Sequence, residues 1–233
     1  MRTFLFLYLA STLAAQTQRL TDTNFNGWFM YFGDHAASKR WGVHFDGQWR
    51  RHNFANRWQQ LLLRPGVNFS LHPNVMLTAG YTFVRTHPYG SYPGPYVFNE
   101  HRPFQQLLLT HSAGRVNFTH RYRVEQRFIE VRGAPHRYQN RFRYFFKVTV
   151  PLKKQSKWFF ATYDELLLHF GPNHGPNVYD HNRAYAALGY KTGKWGNVEV
   201  GYMNQRLLQR NGRILENNHT FQLAFLSNMR LRK

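Results

Sequence analysis

The sequence contains no cysteine, which excludes disulfide bonds, thiolate metal ligands and the acylated cysteine that anchors a lipoprotein. It also contains no apolar run of about 18 or more residues, so no segment has the composition of a transmembrane helix. A chain of this kind can cross a membrane only as a closed β-barrel, because lipid offers no partners to the backbone groups of an open sheet.

Acidic residues are also scarce. There are 11 Asp and Glu against 31 Lys and Arg, which gives a formal charge of +20. Such a balance is typical of proteins that bind nucleic acids, but it suits any anionic partner. The start of the chain indicates whether the protein is exported, and an exported protein is not expected to bind nucleic acid.

The first 15 residues have the layout of a secretory signal peptide. Arg2 gives a basic start, Phe4 to Leu13 form an apolar run, and Ala14 and Ala15 are small residues suited to cleavage. The apolar run is too short for a membrane anchor, which needs about 20 residues. We therefore expect residues 1–15 to be removed on export, residues 16–233 to form a single domain, and nucleic acid not to be a partner.

Apolar and polar residues alternate with a period of two along most of the chain, and aromatic residues make up 18% of it. From Lys39 to Arg50, the odd positions after Lys39 hold Trp, Val, Phe, Gly and Trp, and mostly polar residues occupy the even ones. Runs of about ten residues exceed the five or six that are usual in soluble domains and favour a transmembrane barrel. Similar patterns occupy Gly27–Gly33, Arg57–Leu71, Val75–Phe83, Val116–Phe128, Tyr138–Val150, Trp158–Phe170, Arg183–Tyr190, Asn197–Gln205 and Asn218–Phe225.

The predicted connections alternate between short and long. The short ones are 71–74, 112–115, 151–157 and 191–196, and the long ones are 86–102 and 171–182. Outer-membrane barrels have short periplasmic turns and long extracellular loops, so the long connections are expected outside the cell. With the segment between the connections 86–102 and 112–115, the candidate strands number eleven, but a barrel with both termini in the periplasm needs an even number, so we expect ten or twelve.

Glycine followed by tyrosine recurs at Gly80, Gly189 and Gly201. In each case the tyrosine falls on the predicted outer face, where its ring suits an aromatic girdle in contact with lipid headgroups. The glycine falls on the inner face and leaves room in the lumen. The pattern predicts a girdle that includes Tyr81, Tyr190 and Tyr202.

The predicted inner faces are rich in arginine. Arg or Glu side chains are expected to form a charge network there, with either residue of the acidic pair 164–165 completing it, since buried charges need partners. Such a network can fill a narrow barrel as a structural plug, or it can select anionic solutes in a channel. The network residues are Arg121, Arg123, Glu125, Arg127, Arg141, Arg143, Asp164 and Glu165.

A lipid- or lipopolysaccharide-modifying enzyme is an alternative function, and it would need a serine beside a histidine base. His111 and Ser112 are the adjacent pair, but they fall in a predicted turn, where serine is expected for backbone reasons. His169, His174 and His181 have no spacing that matches a metal site, and we expect them to be solvated in loops. We therefore assign no catalytic residue, metal or cofactor.

Several short segments, taken in order along the chain, match a known family. They are Trp28, Leu63–Val67, Arg121–Phe128, Arg141–Arg143, Asp164–Glu165, Asn182–Arg183 and Gly201–Tyr202. In these segments the chain resembles domain-of-unknown-function family 2490, a family of predicted bacterial outer-membrane barrels. The resemblance covers most of residues 16–233 and implies fold and location, but no activity.

The sequence thus predicts an all-β protein, a transmembrane up-and-down antiparallel β-barrel of ten to twelve strands in the outer membrane of a Gram-negative bacterium. Expected partners are outer-membrane lipids and lipopolysaccharide, the barrel-assembly machinery and small anionic solutes. The barrel is expected to be structural or to form a narrow passive channel with an arginine-rich lumen. The lipid-modifying enzyme and a secreted polyanion-binding β protein are the competing hypotheses.

Overall fold

Strands account for nearly all of the fold. The computed structural model describes residues 19–173 and 175–231, so the predicted signal peptide and His174 lie outside the described residues. The described residues form 11 strands and one turn of 3₁₀ helix at Gly193–Trp195. Within these ranges, no helix is long and apolar enough to cross a membrane. The strands are β1 Leu20–Ala36, β2 Trp41–His52, β3 Arg57–His72, β4 Val75–Thr86, β5 Phe98–Ala113, β6 Val116–Val131, β7 Ala134–Pro151, β8 Trp158–Phe170, β9 Tyr179–Lys191, β10 Asn197–Leu208 and β11 Ile214–Ser227.

The strands form one closed barrel in which each pairs antiparallel with the next along the chain. The closing pair, β1 with β11, is parallel, and its register runs from Leu20 opposite Ile214 to Gly33 opposite Ser227. The expectation of an even strand number is therefore wrong. A parallel ladder pairs the backbone groups of two strands almost as well as an antiparallel one, so closure does not require the two termini to lie at the same end.

The two ends of the barrel differ in their connections. Both long connections, 87–97 and 171–178, lie at the end where β1 begins, which we call the loop end. The connections 37–40, 73–74, 114–115, 152–157 and 192–196 lie at the opposite end, which we call the turn end. Because the described strands are odd in number, Leu20 begins β1 at the loop end and Ser227 completes β11 at the turn end.

Burial is inverted relative to a soluble protein. In β2, Trp41 is 56% exposed and Trp49 is 42% exposed, whereas Asp46 is 1% exposed and Arg50 is 6% exposed. The alternation predicted over Lys39 to Arg50 is thus real, with the aromatic side chains on the outside and the charged ones in the lumen. An apolar outer wall around a polar interior is the arrangement that a bilayer selects.

Glycine on the inner wall makes room for aromatic rings in the lumen. A methyl group added at Gly189 would overlap the ring of Phe159, and one added at Gly80 would overlap the ring of Phe104. Both rings are almost completely buried. The inward glycines expected from the repeated Gly-Tyr pairs therefore have a packing reason.

Candidate functional site

The lumen holds nearly all of the protein's acidic residues. Only Glu130 and Asp164 of the 11 lie elsewhere, so 9 carboxylates face 13 basic side chains that are buried in the described lumen or line its cavities, a net charge of +4. Most of the formal charge of +20 therefore lies outside the lumen. The acidic residues are Asp22, Asp34, Asp46, Glu100, Glu125, Glu165, Asp180, Glu199 and Glu216. The basic ones are Arg50, Arg64, Arg102, Arg121, Arg123, Arg127, Arg137, Arg141, Arg143, Lys147, Arg183, Lys191 and Arg210.

Glu125 is the most deeply buried carboxylate of this network, with 0% exposure. Its Oε2 accepts hydrogen bonds from Arg141 Nε at 3.0 Å and Nη2 at 2.5 Å, and its Oε1 accepts one from Arg143 Nη1 at 2.7 Å. Arg102 and Arg123 approach it to 3.9 and 4.0 Å. Strands β6 and β7 place these groups together because they pair Glu125 directly opposite Arg141.

Glu165 connects three strands. Its Oε1 accepts from Arg143 Nη2 at 2.6 Å and from Arg121 Nη2 at 2.8 Å, and its Oε2 accepts from Arg183 Nη1 at 2.9 Å. Asp164, which the sequence placed in the same network, is instead on the outer wall, where Asn182 Nδ2 donates to both of its carboxylate oxygens. Adjacent residues of a strand face opposite sides, and three arginines hold Glu165 inside.

The other predicted network residues have partners that the sequence did not indicate. Arg127 donates to both oxygens of Glu100 at 3.1 Å, and Arg102 Nε donates to Glu100 at 2.8 Å. Arg123 donates twice to Gln106 Oε1 and lies 4.6 Å from the ring centroid of Phe104. Glu100 and Arg102 were missed because they fell within the predicted loop 86–102, whereas β5 begins at Phe98.

Two further ion pairs lie on faces that the alternation marks as polar. Arg64 on β3 bonds Asp46, directly opposite on β2, and both are at least 98% buried. Lys147 on β7 donates to Glu199 on β10 at 2.5 Å, across the lumen. Period two could have identified these residues as inward-facing, but not their partners, because those depend on register and on contacts across the barrel.

The lumen contains two cavities that meet at a shared set of side chains. A cavity of about 400 Å³ lies toward the turn end, and a cavity of about 510 Å³ lies toward the loop end. Five residues line both cavities, and together with the carboxylates that bond them we call them the septum. The septum comprises Trp28, Arg50, Arg64, Arg143 and Arg183, with Asp46, Glu125 and Glu165.

Trp28 lies at the middle of the septum with 2% exposure. The guanidinium carbon of Arg50 is 3.7 Å from its ring centroid, and that of Arg183 is 5.2 Å away. The indole Nε1 donates to Gln59 Oε1 at 2.8 Å, which fixes the ring in the lumen. A desolvated aromatic face of this kind attracts cations, so Trp28 holds two guanidinium groups near each other despite their like charge.

The 87–97 connection folds over the mouth of the loop-end cavity. Tyr89 Oη donates to Glu216 Oε2 at 2.7 Å, and the backbone N–H of Ser91 approaches Asp22 Oδ2 at 3.2 Å. Burial, together with the negative charge of Glu216, raises the pKa of Tyr89 well above its usual range. The phenol therefore stays protonated as the donor that ties this connection to β11.

The three predicted girdle tyrosines all point outward, but at different heights. Tyr190 is the next-to-last residue of β9, near the turn end, and its ring contacts that of Trp158. Tyr81 and Tyr202 lie in the middle of β4 and β10. Tyr81 forms a hydrogen bond with His101, and Tyr202 forms one with His219 at 2.6 Å. Of the three, only Tyr190 lies near the end of its strand, and the girdle itself stays a prediction.

The histidines and the serine considered for chemistry are not arranged for it. Ser112 Oγ donates to Asn117 Oδ1 at 2.8 Å, while His111 stacks on Phe118 on the outer wall. His169 and His181 are not solvated in loops as expected, because they lie in β8 and β9 with their rings buried beside Asp180. Among the described residues, no group of three or more His, Cys, Asp or Glu could hold a metal ion.

Comparison with curated proteins gives no match. Among solved structures, one described as the NanC porin in a rhombohedral crystal form is similar to this chain with 13% sequence identity. The match covers 82% of this chain and 92% of that one, with a TM-score of 0.48. The family model described as "Protein of unknown function (DUF2490)" matches residues 25–216, which confirms the family expected from the sequence. The chain belongs to the DUF2490 family of proteins of unknown function.

Proposed function

We propose that the protein is a structural outer-membrane β-barrel whose lumen is closed by the septum. The observation that carries this proposal is the ion-paired layer between the two cavities. Its three carboxylates bond Arg64, Arg143 and Arg183, so three of the four arginines in the septum are each held by a charged partner. Charge-assisted hydrogen bonds of this kind are among the strongest in proteins.

Location in the outer membrane is part of the proposal. The apolar outer wall and polar interior of the barrel support it. The excess positive charge outside the lumen suits contact with anionic lipid headgroups and lipopolysaccharide phosphates. We expect the protein in the outer-membrane fraction with a gel mobility that changes on boiling. Identical mobility before and after boiling, or release from cells without detergent, would contradict this location.

A narrow anion-selective channel is the second candidate function. The septum is only one layer of side chains thick, since five residues line both cavities. The lumen also carries more basic than acidic side chains, and rings of arginine favour anions in pores. Small displacements of the septum residues would then open a path between the cavities.

Planar-bilayer conductance separates these two candidates. If the septum closes the lumen, the unaltered protein gives no discrete conductance steps, and the double variant Arg64→Ala, Asp46→Ala gives them, because it removes a septum pair without changing net charge. The matched control is Lys147→Ala, Glu199→Ala, which removes an ion pair that lines the turn-end cavity alone. This control variant is expected to give no conductance steps. The unaltered protein would instead be an anion channel if it gave conductance steps whose size stays the same when the cation is exchanged and changes when the anion is exchanged.

A further inference from the structure

Arg50 differs from the other arginines of the septum in having no acidic partner. No carboxylate of the described residues lies within 4.0 Å of its guanidinium. The described ranges include all Asp and Glu residues of the chain, because residues 1–18, 174, 232 and 233 contain none. Arg50 is nevertheless only 6% exposed. A buried guanidinium without a counter-charge is costly unless something compensates it.

The neutral contacts of Arg50 leave part of its donor capacity unused. Nε and Nη2 donate to Gln48 Oε1 at 3.1 and 2.5 Å, and Nη1 donates to Gln60 Oε1 at 2.7 Å. An arginine has five N–H donors, so these three bonds leave two N–H groups, one on each Nη. A carboxylate or phosphate group has the acceptor oxygens that such unused donors need.

The surroundings of Arg50 also favour an anion. The septum contains four arginines and three carboxylates, so it carries a net charge of +1. Arg50 lines both cavities and is therefore reached from either side. In the loop-end cavity, Arg137 is a further basic group, and its Nε is buried without a hydrogen-bond partner. Basic groups without an acidic partner thus lie both where the two cavities meet, at Arg50, and in the loop-end cavity, at Arg137.

We propose that Arg50 binds a small oxyanion, a carboxylate or a phosphate group, in the septum, while the ring of Trp28 packs against the guanidinium group. The cavities of about 400 and 510 Å³ limit the ligand to a small solute. This site does not depend on whether the lumen conducts, because an anion bound within a closed septum compensates Arg50 equally well.

Calorimetric titration of the folded protein in detergent tests the site. The probes are inorganic phosphate and acetate, each added at constant ionic strength, so that the two arms show which oxyanion is preferred. Saturable binding of either probe is expected, and its absence for both overturns the proposal. The variant Arg50→Gln removes the charge and is expected to weaken binding at least tenfold. The matched control is Arg51→Gln, the next residue, whose side chain lies on the outer wall, and it binds as the unaltered protein does.

A second variant keeps the test decisive where Arg50→Gln does not fold. Gln60→Glu places a carboxylate at the atom that already accepts from Arg50 Nη1, and Thr86 Oγ1, which now accepts from Gln60, can donate to it instead. This internal counter-charge is expected to abolish oxyanion binding and preserve the barrel. Undiminished binding in Gln60→Glu would overturn the proposal. Neither binding result decides whether the lumen conducts, because the planar-bilayer measurements test that question separately.

Discussion

Arg143 Nη1 donates to Glu125 Oε1 at 2.7 Å in the interior of the barrel, where Glu125 is 0% exposed. The same guanidinium donates to Glu165, so one arginine joins the carboxylates of two strands. A carboxylate in this position cannot be solvated by bulk water. Its negative charge is instead stabilised by fixed guanidinium groups, and those groups depend on it in return.

Replacing Glu125 with glutamine should therefore destabilise the barrel strongly. The amide keeps the size of the side chain but leaves Arg141 and Arg143 with one negative charge fewer. Removing one partner of a buried ion pair typically costs about 3–5 kcal/mol. We expect a loss of this size in the free energy of unfolding, measured by urea titration of the protein folded in lipid vesicles.

Asp164→Asn is the matched control for this change. It makes the same chemical replacement on the outer wall, where Asp164 contacts Asn182 and no basic side chain of the described residues forms a salt bridge with it. It should cause no loss of stability, because a neutral amide costs no more than a carboxylate on a wall that faces lipid in the proposed location. Equal losses for the two variants would mean that the guanidinium contacts of Glu125 do not stabilise the barrel.

The inner faces of β6 and β7 could be predicted from the sequence because period two is independent of the rest of the fold. The alternation around Arg121 and Arg141 is unbroken, and the structure has these residues inside. The alternation could not predict which residue of the acidic pair on β8, Asp164 or Glu165, faces the lumen. Either phase puts one carboxylate outside, and the choice of Glu165 depends on arginines from β6, β7 and β9.

The strand number and the septum depend on long-range pairing, which local patterns do not encode. All eleven candidate strands are present, but the parallel pairing of β1 with β11 follows only from closure of the whole sheet. Trp28 and Arg183 meet because both point into a narrow lumen from β1 and β9, which β10 and β11 separate in the barrel. Neither residue carries a motif that would indicate the other.

Gly189→Ala should destabilise the barrel because the added methyl group overlaps the ring of Phe159. Phe159 is 2% exposed and has little space to move, so we expect a cost of about 1–3 kcal/mol, as for other overpacked cores. Urea titration in vesicles measures it. Gly47→Ala is the control, since its nearest neighbour is the outward ring of Phe45 at 3.3 Å, which can rotate away. A Gly189 variant as stable as the Gly47 variant would contradict the close packing.

Tyr89→Phe should loosen the connection over the loop-end mouth. It removes the hydrogen bond to Glu216 while keeping the ring, at a cost of about 1 kcal/mol. That cost corresponds to roughly fivefold faster opening, read as hydrogen exchange of the Ser91 amide that faces Asp22. Tyr92→Phe is the control, because Tyr92 is 40% exposed and its hydroxyl forms no hydrogen bond within the described residues. Unchanged exchange in Tyr89→Phe would show that this bond does not hold the connection.

The absence of cysteine makes single-cysteine labelling a direct test of the odd strand number. Gly94 lies in the 87–97 connection at the loop end, Lys154 lies in the 152–157 connection at the turn end, and Arg19 precedes β1 at the loop end. If the long connections are extracellular, a membrane-impermeant maleimide added to intact cells should label Gly94→Cys and leave Lys154→Cys unlabelled until the cells are broken. Labelling of the boiled, unfolded proteins controls for the reactivity of each cysteine.

Arg19→Cys is the decisive variant. With eleven strands and a parallel closure, Arg19 lies on the same side of the membrane as Gly94, so the two variants should be labelled under the same conditions. A barrel with an even number of strands would place the start of the first strand at the turn end, beside Lys154. Labelling of Arg19→Cys only after the cells are broken, together with immediate labelling of Gly94→Cys, would therefore rule out the parallel closure of β1 on β11.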